Sequence, residues 1–164
     1  MSKEEKTAWQ KCLGFLNRRA LSKRQLLDKL YQAGFPGAEI REAVARAEKL
    51  GFVNDELLAG DCARYAAGSG LGRYRIRQKL RTRKFDAATI AAATESTVDD
   101  EAERARQCFE LKLRSLARES DWRKKRDKVF RHLVARGFPM GTARDLAQEI
   151  RPENINPTGD EELS

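Results

Sequence analysis

The sequence lacks the features by which several classes of protein are recognised. No run of apolar residues approaches the roughly 18 that a membrane-spanning helix needs. Residues 1–6 are polar or charged after the initiator methionine, and no apolar segment of a secretory signal follows them. Sustained alternation of β-branched residues, the mark of strands, is also missing. We therefore expect a helical protein of the cytoplasm.

Residues that carry catalysis or bind metals are few. The three cysteines, Cys12, Cys62 and Cys108, lie far apart and form no CxxC pair, which argues against a disulfide framework and against a zinc site. The single histidine, His132, cannot build a metal site or an acid–base pair unaided. Carboxylates and serines are scattered along the chain. The sequence predicts a protein that is not an enzyme and that uses no metal or cofactor.

Positive charge is in excess, and it is concentrated. The net charge is +8, yet residues 71–84 carry seven Lys/Arg and no acid, and residues 111–136 carry ten Lys/Arg against three acids. Residues 85–110 and 137–164 are net negative. Glutamates would alternate with the cations on a helix that was merely solvated. The basic blocks therefore indicate a polyanion or an acidic protein surface as partner, with solvated helix faces as the alternative.

A spaced pattern of apolar residues occurs three times, with intervals of four, five and five residues. The copies are Leu26-Leu30-Phe35-Ile40, Ile76-Leu80-Phe85-Ile90 and Val129-Leu133-Phe138-Ala143. A four-residue step keeps two side chains on one helical face, and the next step crosses a turn. Each copy thus predicts a pair of helices, and a further apolar stretch ahead of it predicts a third helix.

Turn residues separate the two helices of each pair. Gly34 and Gly137 suit the left-handed residue that follows a helix, and Pro36 and Pro139 suit the first turn of the next helix. The second copy has Lys84 where the others have glycine. Ser22, with Gln25, forms the sequence of a capping box, and Asp86 and Asp121 are suited to cap the helices that follow them.

The expected fold is all-α, with three tandem three-helix repeats stacked into an elongated, curved array. The repeats occupy residues 1–52, 53–95 and 96–150. Residues 151–164 contain two prolines and several acids, and we expect them to form a disordered tail.

Two basic segments are the candidate binding site. On a helix, Ile76 and Leu80 form a buried stripe that basic residues flank on both sides. The second segment begins beside Trp122, for which a place at the core edge is favoured over stacking on a base. The candidate residues are Arg73, Arg75, Arg77, Lys79, Arg81, Arg83 and Lys84 in the first segment, and Arg123, Lys124 and Lys125 in the second.

Three stretches resemble signatures of the RecX family, over about residues 10 to 150. They are Asn54-Asp55-Glu56-x-x-Ala59, Gly70-x-Gly72-x-x-Arg75-Ile76-Arg77-Gln78-x-Leu80, and Arg136-Gly137-Phe138. The family usually has a proline in place of Arg73, a glutamate in place of Lys79, and a Lys-Gly pair in place of Arg83-Lys84. These departures raise the local positive charge of this chain.

The resemblance implies a regulator of the RecA recombinase in DNA repair, homologous recombination and the SOS response. Family members bind along the groove of the RecA filament on single-stranded DNA, limit its growth, and suppress its ATPase, strand exchange and coprotease activities. We accordingly expect a monomer whose partners are the RecA filament and single-stranded DNA. Two alternatives remain at this stage. One is a stand-alone helical nucleic-acid-binding module with no recombinase partner, and the other is a helical scaffold for an acidic protein.

Overall fold

A computed structural model describes residues 7–152, and the regular elements of this part of the chain are nine α-helices without a strand. The helices are α1 (Ala8–Leu16), α2 (Lys23–Gln32), α3 (Gly37–Lys49), α4 (Asp55–Gly68), α5 (Arg73–Thr82), α6 (Ala87–Glu95), α7 (Glu101–Ser115), α8 (Trp122–Ala135) and α9 (Met140–Gln148). The all-α fold of helical repeats is confirmed. Most of the expected tail, residues 153–164, lies outside the described part.

The described residues form two compact units. The first contains residues 7–63 together with Arg77–Ser96, and the second contains Arg64–Ile76 and the described residues from Thr97 onward. Helices α4 and α5 are each divided between the units. The repeat boundaries at residues 52/53 and 95/96 stay a prediction from the sequence spacing.

The apolar pattern of the sequence forms the cores of both units. In the first unit α1, α2 and α3 pack together around Leu26, Leu30 and Ile40, all fully buried. In the second unit α7, α8 and α9 enclose Val129 and Leu133. Of the twelve residues in the three copies, eleven are buried, and the half-buried Phe35 packs against the core of the first unit.

The helix starts follow the expected capping chemistry. The Ser22 hydroxyl accepts from the Gln25 backbone N–H, and the Gln25 side chain accepts from the Ser22 N–H, both at 3.2 Å. The Asp86 carboxylate accepts from the backbone of Thr89 at 2.7 Å, and Asp121 caps α8. These contacts satisfy N–H groups that the first helical turn leaves without partners.

The prolines between paired helices lie just before the helices that follow, whereas the sequence predicted them within the first helical turn. Pro36 and Pro139 occupy the N-cap positions of α3 and α9, one residue before the first helical residue. Gly34 and Gly137 have left-handed backbones, with φ of 85° and 90°. Lys84 takes the same conformation, with φ of 61°, so a residue with a Cβ occupies the position that glycine holds in the other two copies.

Candidate partner-binding helix

Helix α5 carries the first basic segment, and its apolar stripe is buried as predicted. Ile76 is fully buried and Leu80 is nearly so. The helix ends at Thr82, so Arg83 and Lys84, which the sequence placed on the helix, lie in the turn that follows it.

The first turn of α5 is held by Glu101, the first residue of α7, within the second unit. The buried Glu101 carboxylate accepts from the backbone N–H of Arg73 at 2.7 Å and from Arg73 Nε at 2.6 Å. A second guanidinium nitrogen of Arg73, Nη2, forms an ion pair with the same carboxylate oxygen, Oε2. Glu101 therefore caps α5 from a distance of 28 residues in the chain. Arg73 has a structural partner where the sequence predicted a binding residue.

Two glycines of the second unit lie against each other beside this turn. The Gly72 N–H donates to the Arg136 carbonyl at 3.0 Å, and the Tyr74 N–H donates to the Gly137 carbonyl at 3.1 Å. A Cβ on Gly72 would overlap the Gly137 backbone, and a Cβ on Gly137 would overlap Arg75. The Arg136 side chain also donates to the carbonyls of Ser69 and Gly70. Two of the stretches that resemble family signatures therefore form one structural contact.

The residues after α5 are held within the first unit. Arg83 donates through Nη2 to the Ala20 carbonyl at 2.7 Å and through Nη1 to Cys62 Sγ at 2.9 Å. The Arg83 carbonyl accepts from the Ser22 hydroxyl at 2.6 Å. Lys84 forms an ion pair with Asp28, and this hydrogen bond is the main reason that the pKa of the Asp28 carboxyl lies below its ordinary value.

The remaining cations of α5 face outward to different extents. Arg75, Lys79 and Arg81 are exposed, and Arg77 is half-buried. Within residues 7–152, the side chains of Arg77, Lys79 and Arg81 form no hydrogen bond or ion pair. Of the seven basic residues in this segment, these three are available to a partner without breaking a contact of the fold.

The second basic segment is divided by burial. Arg123 and Lys124 are exposed at the start of α8, whereas Lys125 retains only 9 % exposure and belongs to the packed side of the helix. Trp122 packs against the core of the second unit, as the sequence analysis favoured. The guanidinium groups of Arg123 and Arg126 lie over its ring, at 4.8 and 5.1 Å from the centroid.

Two exposed tyrosines of the second unit were not among the sequence candidates. Tyr65 on α4 is 81 % exposed and Tyr74 on α5 is 56 % exposed, and both belong to the second unit. The helical wheel contains the signal for Tyr74, which lies roughly 140° from the middle of the Ile76–Leu80 stripe. An exposed aromatic ring on a basic helix is a platform on which a nucleic-acid base can stack.

Burial changes the pKa of two of the cysteines and of the histidine. Burial raises the pKa of the Cys12 and Cys108 thiols, which keeps them protonated, and burial lowers the pKa of His132, with Lys112 and Arg136 adding to the effect. Within the described part of the chain, no group of three or more His, Cys, Asp or Glu side chains is placed to hold a metal ion. No helix there is both long enough and apolar enough to cross a membrane.

Comparison with known proteins identifies the family. Models of the first and third three-helix domains of RecX match residues 8–46 and 99–146. The regulatory protein RecX of Corynebacterium efficiens is 32 % identical over 160 residues, covering 93 % of this chain and 76 % of the relative. The chain belongs to the RecX family.

Other RecX proteins agree with this assignment. RecX of Stenotrophomonas maltophilia strain K279a is 36 % identical over 102 residues, or 62 % of this chain, and the match spans 63 % of that relative's length. The crystal structure of RecX from Lactobacillus salivarius superposes with a TM-score of 0.77 at 20 % identity, over 87 % of this chain and 94 % of that one. The structural likeness shows that the helical fold is that of RecX.

Proposed function

We propose that this protein regulates the RecA recombinase by binding its filament through helix α5, and thereby slows filament growth, ATP hydrolysis, strand exchange and coprotease activity. Membership of a family of regulatory proteins supports the regulatory role. One structural observation supports the site. Arg77, Lys79 and Arg81 have no partner among residues 7–152, on a helix whose ends are both fixed by other residues.

Fixing the ends of α5 favours binding in two ways. The helix is already ordered, so a partner does not bear the entropy of ordering it. The outward cations repel one another in the free protein, and an anionic surface relieves that repulsion when it binds. The phosphates of single-stranded DNA in the filament provide such an anionic surface.

The test is ATP hydrolysis by a RecA filament assembled on single-stranded DNA. We expect sub-stoichiometric amounts of this protein to slow hydrolysis, in step with loss of filament measured by light scattering. An unchanged rate with intact filaments would contradict the proposal. A heat-denatured sample of the same protein controls for additives in the preparation.

Tyr74 favours a second candidate, a nucleic-acid-binding module that acts without a recombinase. Its exposed ring stands on the basic helix, where a base can stack on it. This candidate predicts salt-sensitive binding to single-stranded DNA alone, with the salt slope falling by about 1 for each phosphate contact removed. DNA binding combined with an unchanged RecA ATPase would favour this candidate over the first.

A further inference from the structure

Helices α5 and α6 border an open groove of about 420 Å³ in the first unit. Its lining consists of Arg77, Arg81, Phe85, Ala87, Ile90 and Ala91. Phe85 and Ile90 form an apolar floor and keep only 6 and 7 % exposure, while Ala87 and Ala91 are exposed at successive turns of α6. The volume is within the range that specific ligands occupy.

We propose that this groove docks an acidic amphipathic helix of the protein partner. An aliphatic side chain of that helix enters between Ala87 and Ala91, and flanking carboxylates pair with Arg77 and Arg81. The inference rests on the proposed function, since the partner is then the recombinase, and it names the chemistry of the segment that is recognised. It uses the mode in which an apolar helix face is laid into a groove.

Charge complementarity identifies the occupant as acidic. Both charged residues of the lining are arginines, and neither has a partner among residues 7–152. Asp86, the acid next to the groove in sequence, is not part of the lining, and its carboxylate accepts from the backbone N–H of Thr89. A guanidinium accepts a carboxylate in a bidentate pair, and partial desolvation at a groove strengthens that pair.

The floor of the groove favours a protein side chain over a nucleic-acid base. Base recognition without sequence preference needs an exposed aromatic face, and Phe85 is almost entirely covered. Ile90 and the two alanines offer no hydrogen-bonding side-chain group to read a base edge. An aliphatic side chain buries its surface against this floor without leaving a polar group unpaired.

The first repeat shows that the groove is not a general result of the fold. A shift of fifty residues places Tyr31, Gly37 and Arg41 where the second repeat has Arg81, Ala87 and Ala91. A Cβ on Gly37 would lie 3.3 Å from Arg41 Nη1 and 3.5 Å from Tyr31 Oη. Two long side chains therefore cover the equivalent position, whereas the alanines of the second repeat leave it open.

A pair of neighbouring substitutions tests the docking. Ala91→Trp fills the groove, and Ala92→Trp adds the same side chain to an exposed position of α6 outside it. We expect A91W to weaken co-sedimentation with RecA filaments by about tenfold, or ~1.4 kcal/mol, and A92W to bind like the original protein. Circular dichroism checks that both variants keep their helices. Equal binding by folded A91W and A92W would overturn the docking proposal.

Photo-crosslinking identifies the occupant. Benzoylphenylalanine at Ala88, an exposed residue of α6, should crosslink to a recombinase peptide that is rich in acids and contains an aliphatic residue. The same probe at the exposed Ala45 of α3 is the control and should not yield that peptide. A crosslink from Ala88 to DNA, or to a basic peptide, would overturn the proposal.

If the unsubstituted protein fails to sediment with filaments, the proposed function fails; if it sediments and only the groove tests fail, the docking alone is wrong.

Discussion

At the scale of single residues, glycines 72 and 137 show what the sequence could and could not predict. The turn-forming role of Gly137 was predicted, and Gly137 indeed has a left-handed backbone. Their mutual contact was not visible, because 65 residues separate them and periodicity carries no information on such a pairing. The contact gives a physical reason for both glycines, since neither position has room for a Cβ.

Substitution of Gly137 should be far more costly than substitution of Gly34. Both residues have left-handed backbones, so alanine at either costs about 1–2 kcal/mol of backbone energy. At Gly137 the new Cβ also overlaps Arg75, which adds about 1–3 kcal/mol, whereas the space around Gly34 is open. We expect urea denaturation to show G137A as the less stable variant. Equal midpoints for the two variants would contradict the glycine contact.

Lys84 combines a strained backbone with an ion pair, and two substitutions separate the effects. Lys84→Gly removes backbone strain of about 1 kcal/mol, while the exposed pair with Asp28 contributes less than that strain. Lys84→Ala loses the pair and keeps the strain. We expect thermal unfolding to rank K84G above the original protein and K84A below it. A K84G variant less stable than the original protein would show that the ion pair dominates, and a K84G variant no more stable than K84A would contradict the backbone strain.

At the scale of the helix, the sequence predicted that α5 is a helix, which of its residues form the buried apolar stripe, and that it is basic. It did not predict which of the basic residues lack a partner within the fold. The helical wheel placed Ile76 and Leu80 inside, as found. It could not show that Arg73 donates hydrogen bonds to Glu101, or that Arg83 donates one to the Ala20 carbonyl, because both acceptors lie outside this helix. Lys125 on α8 is a similar case, since its burial depends on helix packing.

The anchor of α5 can be tested with two glutamates of the same helix turn. Glu101 is buried and forms an ion pair with Arg73, whereas Glu103 is exposed and its carboxylate accepts a hydrogen bond from the Gln107 side chain. We expect Glu101→Ala to lower the free energy of unfolding by about 2–4 kcal/mol, because it leaves a partly buried guanidinium and a helix N-terminus without their acceptor. Glu103→Ala should change it by less than about 0.5 kcal/mol. Similar losses in both would contradict the anchoring role.

The ion pair between Arg106 of α7 and Glu149, at the end of α9, should make stability depend on pH in the acidic range. Arg106 donates to both oxygens of Glu149, at 2.6 and 2.7 Å, and this lowers the pKa of Glu149 from its ordinary value of 4.5. The stabilisation is therefore complete above pH 4.5 and is lost as the pH falls through the lowered pKa. The pair is exposed, so its contribution is about 0.2–1 kcal/mol. Between pH 6 and pH 3, the free energy of unfolding should fall less steeply for E149Q than for the original protein. Identical slopes for the two proteins would rule out a contribution from the Arg106–Glu149 ion pair.

At the scale of the whole molecule, the sequence predicted the helical fold and its family, and the structure adds how the chain divides into compact units. Three copies of the apolar pattern account for nine helices among the described residues. The described residues form two compact units although the sequence has three repeats. The division into units depends on which helices pack together, and the spacing of a repeat does not specify that. The partner was inferred from the family resemblance, since charge alone indicated either a polyanion or an acidic protein surface.

The central claim is that the unpaired cations of α5 bind the RecA filament. The most direct measurement compares the dose of protein that halves the ATPase of filaments on single-stranded DNA for two triple variants. R77A/K79A/R81A removes the three cations of α5, and R18A/R19A/K49A removes three exposed cations elsewhere in the first unit, so both lose the same charge. We predict that the α5 variant needs at least about tenfold more protein while the control acts like the original. Equal doses for the two variants would contradict the claim.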